Sequence, residues 1–381
     1  MKIGFDAKRF FFNHSGLGNY SRRLIESLFQ YFPEHEYVLY SDRLDTLEKA
    51  HPEALRILQQ YGNSKAGGLD LYTLVMVDAP KWWRVWGLGK RAASDGVDVF
   101  HGLSNELPWD LPLTVKSVCT VHDVIFKQFP SYYRWWDRWI YDAKTRRATN
   151  MACHLVMTSQ ATKSQVEKYY PVAKEKSSVI YQAVAAEYYQ QSISSQRNRE
   201  DGDVPYFVYH SSFTDRKNHA ALIEAFAKIQ KQTHWNLKLV GLNGPTLATV
   251  EQLIEQLGLK HRIVCLVDLP TESMVEVVKS ASAFVYPSLN EGFGIPMAES
   301  LAANLPMAVS RIPVFQELVE DMPAYFHPND TDEMAAAMMS ITQAETQAQQ
   351  RLKRDGLLKK VEAQSIAQQC IDLYQKVCAG R

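Results

Sequence analysis

Cysteine is scarce in this chain and follows no pattern. Cys119, Cys153, Cys265, Cys370 and Cys378 are odd in number and scattered, without a C-x-x-C pair. That excludes a disulfide scaffold and reads as buried free thiols in a reducing compartment. Long apolar runs are lacking too: none approaches the ~18 residues that span a bilayer. The first expected strand begins beside Met1 and leaves no room for a signal peptide. The expectation is a cytoplasmic protein, at most peripheral to the inner face of the membrane. Net charge is also missing, because 42 Lys and Arg balance 42 Asp and Glu. General nucleic-acid binding would need a basic footprint, so no nucleic-acid partner is expected. The balance hides an asymmetry: residues 1–185 carry 24 basic and 19 acidic side chains, residues 186–381 carry 18 and 23. The histidines have neither H-x3-H spacing nor cysteine companions, and Asp201-x-Asp203 falls in a polar stretch assigned to a linker. No metal site and no cofactor is expected.

At 381 residues the chain exceeds the size at which one core stops growing, so two domains are the default. Short apolar strands alternate with helical patterns almost throughout. In the first half they fall at Ile3–Phe5, Tyr37–Tyr40, Tyr72–Val77, Val97–Phe100, Ser117–Val121, Leu155–Thr158 and Ser178–Tyr181. After the polar stretch 190–203 the rhythm restarts at Tyr206–His210, Leu237–Val240, Ile263–Val267, Ala283–Tyr286, Met307–Val309 and Ala324–Phe326. The fold class is α/β, with two Rossmann-like, doubly wound domains facing a central cleft. The expected boundaries are 1–185, a linker at 186–204, a second domain at 205–360, and a C-terminal helix at 361–381, the larger part of a helical stretch from Leu357 to Val377, packing back toward the first domain.

The stretch Glu291 to Glu299, EGFGIPMAE, carries the most chemistry. On one continuous helix its two carboxylates would stand roughly 12 Å apart and off one face. Gly292 and Gly294 break that helix, and Pro296 restarts it, since proline suits a first turn. Glu291 is therefore placed on a loop and Glu299 one turn inside the next helix. The helix start between them suits a phosphate, and each carboxylate can accept hydrogen bonds from sugar hydroxyls. Phosphate plus sugar points to a nucleotide sugar. A buried Gly-Pro loop with a capping glutamate is the plainer alternative.

Three further places carry chemistry. Gly16-Leu17-Gly18 opens a helix after the first strand, where glycines would let backbone amides approach a phosphate. A dinucleotide fingerprint is the rival reading, with Asp42 as its acidic residue, but the third glycine is Ser21 and about nine residues separate strand from Gly16. Arg216 and Lys217 follow the first strand of the second half, and two adjacent cations at a strand end suit a diphosphate. A solvated basic turn would look similar. His122-Asp123 ends the strand at Val121, either facing a ligand or forming a structural pair. Finally, Tyr132, Trp135, Trp136, Trp139, Ile140 and Ala143 make one helical stripe beside Arg134, Arg138 and Lys144. It reads either as core packing or as a docking face for an anionic membrane or lipid-linked acceptor.

Taken together, SGLGNY, VHDVIF at Val121–Phe126, TDRKN at Thr214–Asn218 and PSLNEGFGIPMAES at Pro287–Ser300 resemble the retaining glycosyltransferases of family 4, which have the GT-B fold. The resemblance spans almost the whole chain. It implies that Arg216 and Lys217 bind the donor diphosphate, Glu291 touches the transferred sugar and Glu299 holds the ribose hydroxyls. It places His122 over the reacting sugar, and the backbone of Gly292, Phe293 and Gly294, with that of Gly16, Leu17 and Gly18, against phosphate and sugar. The implied activity is metal-independent transfer of a hexose from a nucleoside diphosphate sugar to a hydroxyl of a growing glycan or lipid-linked saccharide. GDP-mannose is the first expectation for the donor. Ser211-Ser212 stands where many members carry Gly-Arg, Gln182-Ala183 where Asn-Gly is usual, and Leu266-Val267-Asp268 lacks a common glycine beside the expected base site, leaving guanine and uracil open. A sugar-phosphate enzyme of the same fold, an epimerase or phosphorylase, would share the diphosphate site. A non-catalytic nucleotide-sugar subunit would bind the donor and turn nothing over.

Overall fold

A computed structural model of the chain describes residues 1–41, 49–62, 71–77, 82–189 and 204–380. Asp42 and the Asp201-x-Asp203 pair lie outside them. The described residues divide into two compact units, one made of Met1–Ala183 with Glu362–Arg381, the other of Val184–Val361.

The first unit is built on a parallel sheet of β1 (Lys2–Asp6), β2 (Glu36–Ser41), β3 (Tyr72–Met76), β4 (Val99–Gly102), β5 (Lys116–Val121), β6 (His154–Met157) and β7 (Ser177–Val179), in the order β3-β2-β1-β4-β5-β6-β7. Successive side chains leave opposite faces of a strand, and both faces here are buried, as parallel sheets require. On β2, Tyr37 and Leu39 join the cluster around Ile3 and Phe5, while Val38 and Tyr40 join that around Phe100 and Val121. The second unit repeats the plan with β8 (Tyr206–His210), β9 (Asn236–Gly241), β10 (Ile263–Val267), β11 (Ala283–Tyr286), β12 (Met307–Ser310) and β13 (Ala324–Phe326), in the order β10-β9-β8-β11-β12-β13. Every expected strand is present.

Three expectations are corrected. The single terminal helical stretch is two helices, Ala344–Leu358 and Ala363–Cys378, parted by a 3-10 turn at Lys359–Val361. The turn itself holds no Gly or Pro, and Gly356 stands in the last turn of the helix before it. The 3-10 turn is held from a distance, by Val184 N donating to Val361 O at 3.1 Å and by Lys360 Nζ at 2.7 Å from Glu320. The supposed loop before Gly16 contains a short helix, Lys8–Phe12, because Phe10 and Phe11 are both buried. Of the thiols, Cys119 and Cys370 are buried, but Cys153 is exposed in the turn that enters β6.

The Ala363–Cys378 helix is integral to the first unit. Ile366, Ala367, Cys370, Ile371, Tyr374 and Val377 lie in the same hydrophobic cluster as Ile3, Phe5, Leu24 and Leu28. A buried polar chain anchors it: Tyr374 Oη is 2.7 Å from His101 Nδ1, His101 Nε2 is 2.8 Å from Thr120 Oγ1, and Tyr20 Oη is 2.9 Å from the same hydroxyl.

Candidate active site

In the second sheet the strand order reverses between β8 and β11, and ligands of open α/β sheets bind beyond the carboxyl ends at such a reversal. The loop after β8 carries Arg216 and Lys217; the loop after β11 carries Glu291. Their backbones are tied, with Leu289 N donating to Arg216 O at 2.9 Å. Asn218 adopts the left-handed conformation (φ 58°), which asparagine tolerates. From there its side-chain amide donates to Pro287 O (3.1 Å) and Pro328 O (2.7 Å).

These ties bring Glu291 between the two cations. Arg216 Nη1 lies 2.8 Å from Glu291 Oε2 and also donates to Asn290 O at 3.0 Å. Lys217 Nζ lies 2.5 Å from Oε1, which also accepts from Ser288 Oγ at 2.8 Å and Tyr286 Oη at 3.0 Å. Burial pushes the Glu291 carboxyl up, but Arg216 and Lys217 with the Lys217 and Ser288 hydrogen bonds outweigh it and hold the pKa down to about 2. Burial, with Glu291 alongside, pushes the Tyr286 phenol well up, so it stays a donor. His219, stacked on Phe213 at 4.6 Å, is pushed down to about 3 by burial and Lys217. Two cations answer one carboxylate here, and the surplus positive charge suits an anion.

The helix Ile295–Ala302 starts behind this clamp, with Pro296 in its first turn. Gly294 caps it at φ +96°, and a Cβ there would meet the Phe315 ring at 2.7 Å, so both conformation and space demand glycine. Phe293 is buried among the apolar side chains. Glu299 sits one turn in, as expected, and is 2% exposed. Its Oε2 lies 3.5 Å from His210 Nδ1 at the end of β8.

In the first unit the strand order reverses between β1 and β4. Asp6 at the end of β1 and Glu106 beyond β4 are bridged by Arg84, which is hydrogen-bonded to Asp6 and lies 3.1 Å from Glu106, while Lys144 reaches Glu106 at 2.8 Å. His122, at the end of β5, is 8% exposed. Its Nε2 bonds Leu103 O at 2.8 Å and its ring meets Tyr20 edge-on at 4.6 Å. Burial pushes its pKa down to about 4, so the imidazole is neutral at pH 7. Asp123 Oδ1 accepts from Ile125 N at 3.1 Å.

The glycine turn is narrower in meaning than its sequence suggested. Gly16 starts the helix Gly16–Tyr31, with nothing within 4 Å of where a Cβ would stand, so the space over Gly16 is open. At Gly18 a Cβ would meet Asn13 O at 1.9 Å, and its amide is taken by Asn13 Oδ1 at 3.0 Å. Gly18 is therefore glycine because the backbone passes too close for a side chain.

The aromatic stripe is not core. The helix runs Trp135–Met151 and buries Thr145, Ala148 and Thr149, while Trp135 and Trp139 are 72% and 71% exposed. Tyr132 belongs to a separate 3-10 turn, so the stripe is also broken at its start. Residues that sequence reasoning missed are Tyr286, Ser288, Asn218 and His210. Ser288 stood inside the quoted motif, and His210 ends a strand, a position that is itself a signal.

Over residues 15–188 the sequence matches the family described as Glycosyltransferase Family 4, and over residues 190–357 that described as Glycosyl transferases group 1. The O-antigen chain mannosyltransferase RfbU of Salmonella typhimurium is 30% identical over 239 residues, 61% of this chain and 63% of its own. The MMP alpha-(1->4)-mannosyltransferase of Mycolicibacterium hassiacum is 27% identical over 284 residues, 69% of this chain and 66% of its own. The chain thus spans just under two thirds of the length of these curated relatives. Sucrose-phosphate synthase from Thermosynechococcus elongatus superposes with a TM-score of 0.77 at 18% identity, covering 100% of both chains, a likeness of fold. Two doubly wound parallel sheets of this kind are the GT-B architecture. With its two halves matched in turn by these two families, the chain belongs to the group 1 glycosyltransferases of the GT-B fold.

Proposed function

We propose that this chain is a retaining, metal-independent mannosyltransferase that moves mannose from GDP-mannose to a hydroxyl of a growing glycan or lipid-linked saccharide. The observation that carries it is the clamp of Arg216 and Lys217 around Glu291, beside the start of the Ile295–Ala302 helix. The names of the relatives support mannose. The sugar C1–O bond to the diphosphate breaks while the acceptor oxygen bonds C1 on the same face, and the acceptor proton passes to the departing phosphate oxygen. Charge grows on the leaving group as that happens, and fixed positive charge there stabilises the transition state more than the ground state. A carboxylate held at about pKa 2 and bound by four donors is a poor nucleophile. Glu291 instead spaces the two cations and meets the sugar.

GDP-mannose is expected to raise the thermal midpoint more than UDP- or ADP-sugars, since a ligand at a hundred times its Kd stabilises by about 2.7 kcal/mol. GDP release in the presence of membrane-extracted saccharide is expected to persist in excess EDTA. A midpoint that answers only to UDP-sugars defeats the mannosyl reading; turnover lost in EDTA and restored by Mg²⁺ or Mn²⁺ defeats the metal-free one.

The acceptor reading extends to the membrane surface. Trp82, Trp86, Trp109, Trp135, Trp136 and Trp139 are all exposed. The turn and the helix that bear them are joined through Arg147, 4.8 Å above the Trp109 ring, and through Trp86, 5.4 Å from Trp109. Residues 127–147 carry six basic and two acidic side chains. Interfacial tryptophans and surface cations suit an anionic bilayer, each Lys or Arg adding about 1 kcal/mol. No helix among the described residues is long and apolar enough to cross a membrane. The protein is expected to float with phosphatidylglycerol vesicles at low salt, and less so at 0.5 M NaCl or as Trp135→Ala/Trp139→Ala. Equal flotation with neutral vesicles, or none at all, rules the docking face out.

A further inference from the structure

We infer that His210 is the positioning residue of Glu299: it aims the carboxylate that, on the reading above, grips the ribose of the nucleotide. The inference rests on that reading. His210 ends β8, the strand bordering the reversal in the second sheet, and is 3% exposed. Its ring is fixed on three sides. It is stacked on Tyr188 with planes 16° apart, it packs against Phe284 at 5.4 Å, and its Nε2 lies 3.1 Å from Pro296 O and 3.2 Å from Ser300 Oγ.

The carbonyl of Pro296 can only accept, so Nε2 carries a proton. Nδ1 is then the nitrogen facing Glu299 Oε2, at 3.5 Å. With no proton on that side, two lone pairs would oppose each other inside an apolar surround, which is costly. One proton held between Nδ1 and the carboxylate removes the conflict and gives the carboxylate a fixed direction. Pro296, Glu299 and Ser300 belong to one helix, so the imidazole meets that helix at three points and sets the carboxylate relative to the helix start. Glu291 is held by two cations; Glu299, eight residues later, has this imidazole in the corresponding place. The two carboxylates of one motif are thus oriented by different chemistries, a permanent charge for the reacting sugar and a proton-sharing ring for the nucleoside.

Which ring nitrogen matters is testable, because an asparagine amide falls near the position of Nδ1 and a glutamine amide near that of Nε2. Kd for GDP, measured by calorimetry, is expected to stay near wild type in His210→Asn. It should weaken about tenfold to a hundredfold in His210→Gln and His210→Phe, the loss expected for a hydrogen bond to a charged group. KM for the sugar donor should rise with it while kcat holds, since the ribose is common to substrate and product. In Glu299→Ala the same weakening is expected, and adding His210→Phe to it should cost nothing more, because the histidine acts through the glutamate. The reverse ranking, with glutamine restoring affinity and asparagine failing, or losses that add in the double variant, overturns the role of His210 and leaves only a helix anchor. Unchanged GDP affinity in Glu299→Ala overturns the ribose assignment itself, and the role of His210 with it.

Discussion

Glu291→Gln is expected to lower turnover about a hundredfold to a thousandfold, the range seen when one preorganised electrostatic contact is removed from a reacting centre, while bare GDP binds as tightly as before or more tightly. The asymmetry follows from the clamp. In the folded protein Glu291 is the carboxylate between Arg216 and Lys217, so under the proposed function its charge competes with the diphosphate for the same two cations. Glutamine keeps the shape, removes the charge and turns an NH2 group toward groups that themselves donate. The sugar loses its contact and the cations lose their spacing, but the diphosphate meets more positive charge. The free protein should be destabilised by about 3–5 kcal/mol, the cost of leaving buried charges unpaired, and saturating GDP should recover much of that. Calorimetry beside steady-state kinetics decides it. GDP affinity falling as far as in Glu299→Ala would mean that Glu291 serves the nucleotide and not the sugar.

Lys217→Ala is expected to lower kcat/KM by a similar factor, mainly through kcat. Lys217 is 6% exposed, with Nζ on Glu291 and 5.6 Å from the centre of the Tyr286 ring. A desolvated cation interacts most strongly with the charge that appears as the donor bond breaks. Lys217→Arg should not restore activity, because the planar fork needs a wider slot than an ammonium. The variant also moves acid stability. Glu291 is held at about 2 against an ordinary 4.5, a depressed pKa, so its contribution to stability is present above about pH 4.5 and is lost as pH falls toward 2. With one cation gone the depression shrinks, so the acid loss of thermal midpoint that Glu291 contributes should still begin near pH 4.5 but be smaller and be complete at a higher pH. An effect confined to KM, with kcat intact, would reduce Lys217 to a holder of the donor.

The strands were legible because a parallel sheet buried on both faces writes them as short apolar runs between polar turns. Tyr206–His210, Ile263–Val267, Ala283–Tyr286 and Ala324–Phe326 coincide with their expected limits. Where a boundary moved, pairing moved it: β4 runs Val99–Gly102 rather than starting at Val97, because Ile3 pairs with Val99 and Phe5 with His101. The site residues were legible as chemistry and not as geometry. Arg216 and Glu291 stand 75 positions apart, and no local pattern says that one neutralises the other. The Trp135–Trp139 stripe could be read for its spacing, but periodicity says which residues share a face and is silent on what covers it. The division near residue 360 was legible, but the 3-10 turn at Lys359–Val361 inside the helical pattern was not, because its hydrogen bond comes from Val184, far away in the sequence.

The helix Ala363–Cys378 sets the order in which the protein can be made. Its residues complete the apolar cluster of the first unit, yet the ribosome reaches them only after it has made the whole of Val184–Val361. The second unit is one unbroken stretch of chain and is free to fold as it emerges. Met1–Ala183 must wait through that synthesis with Leu24, Leu28 and their neighbours short of their last partner, and exposed apolar surface of that kind is what chaperones bind and aggregates grow from. A stop codon between Glu362 and Tyr374 therefore damages the unit synthesised first, and spares the one synthesised second.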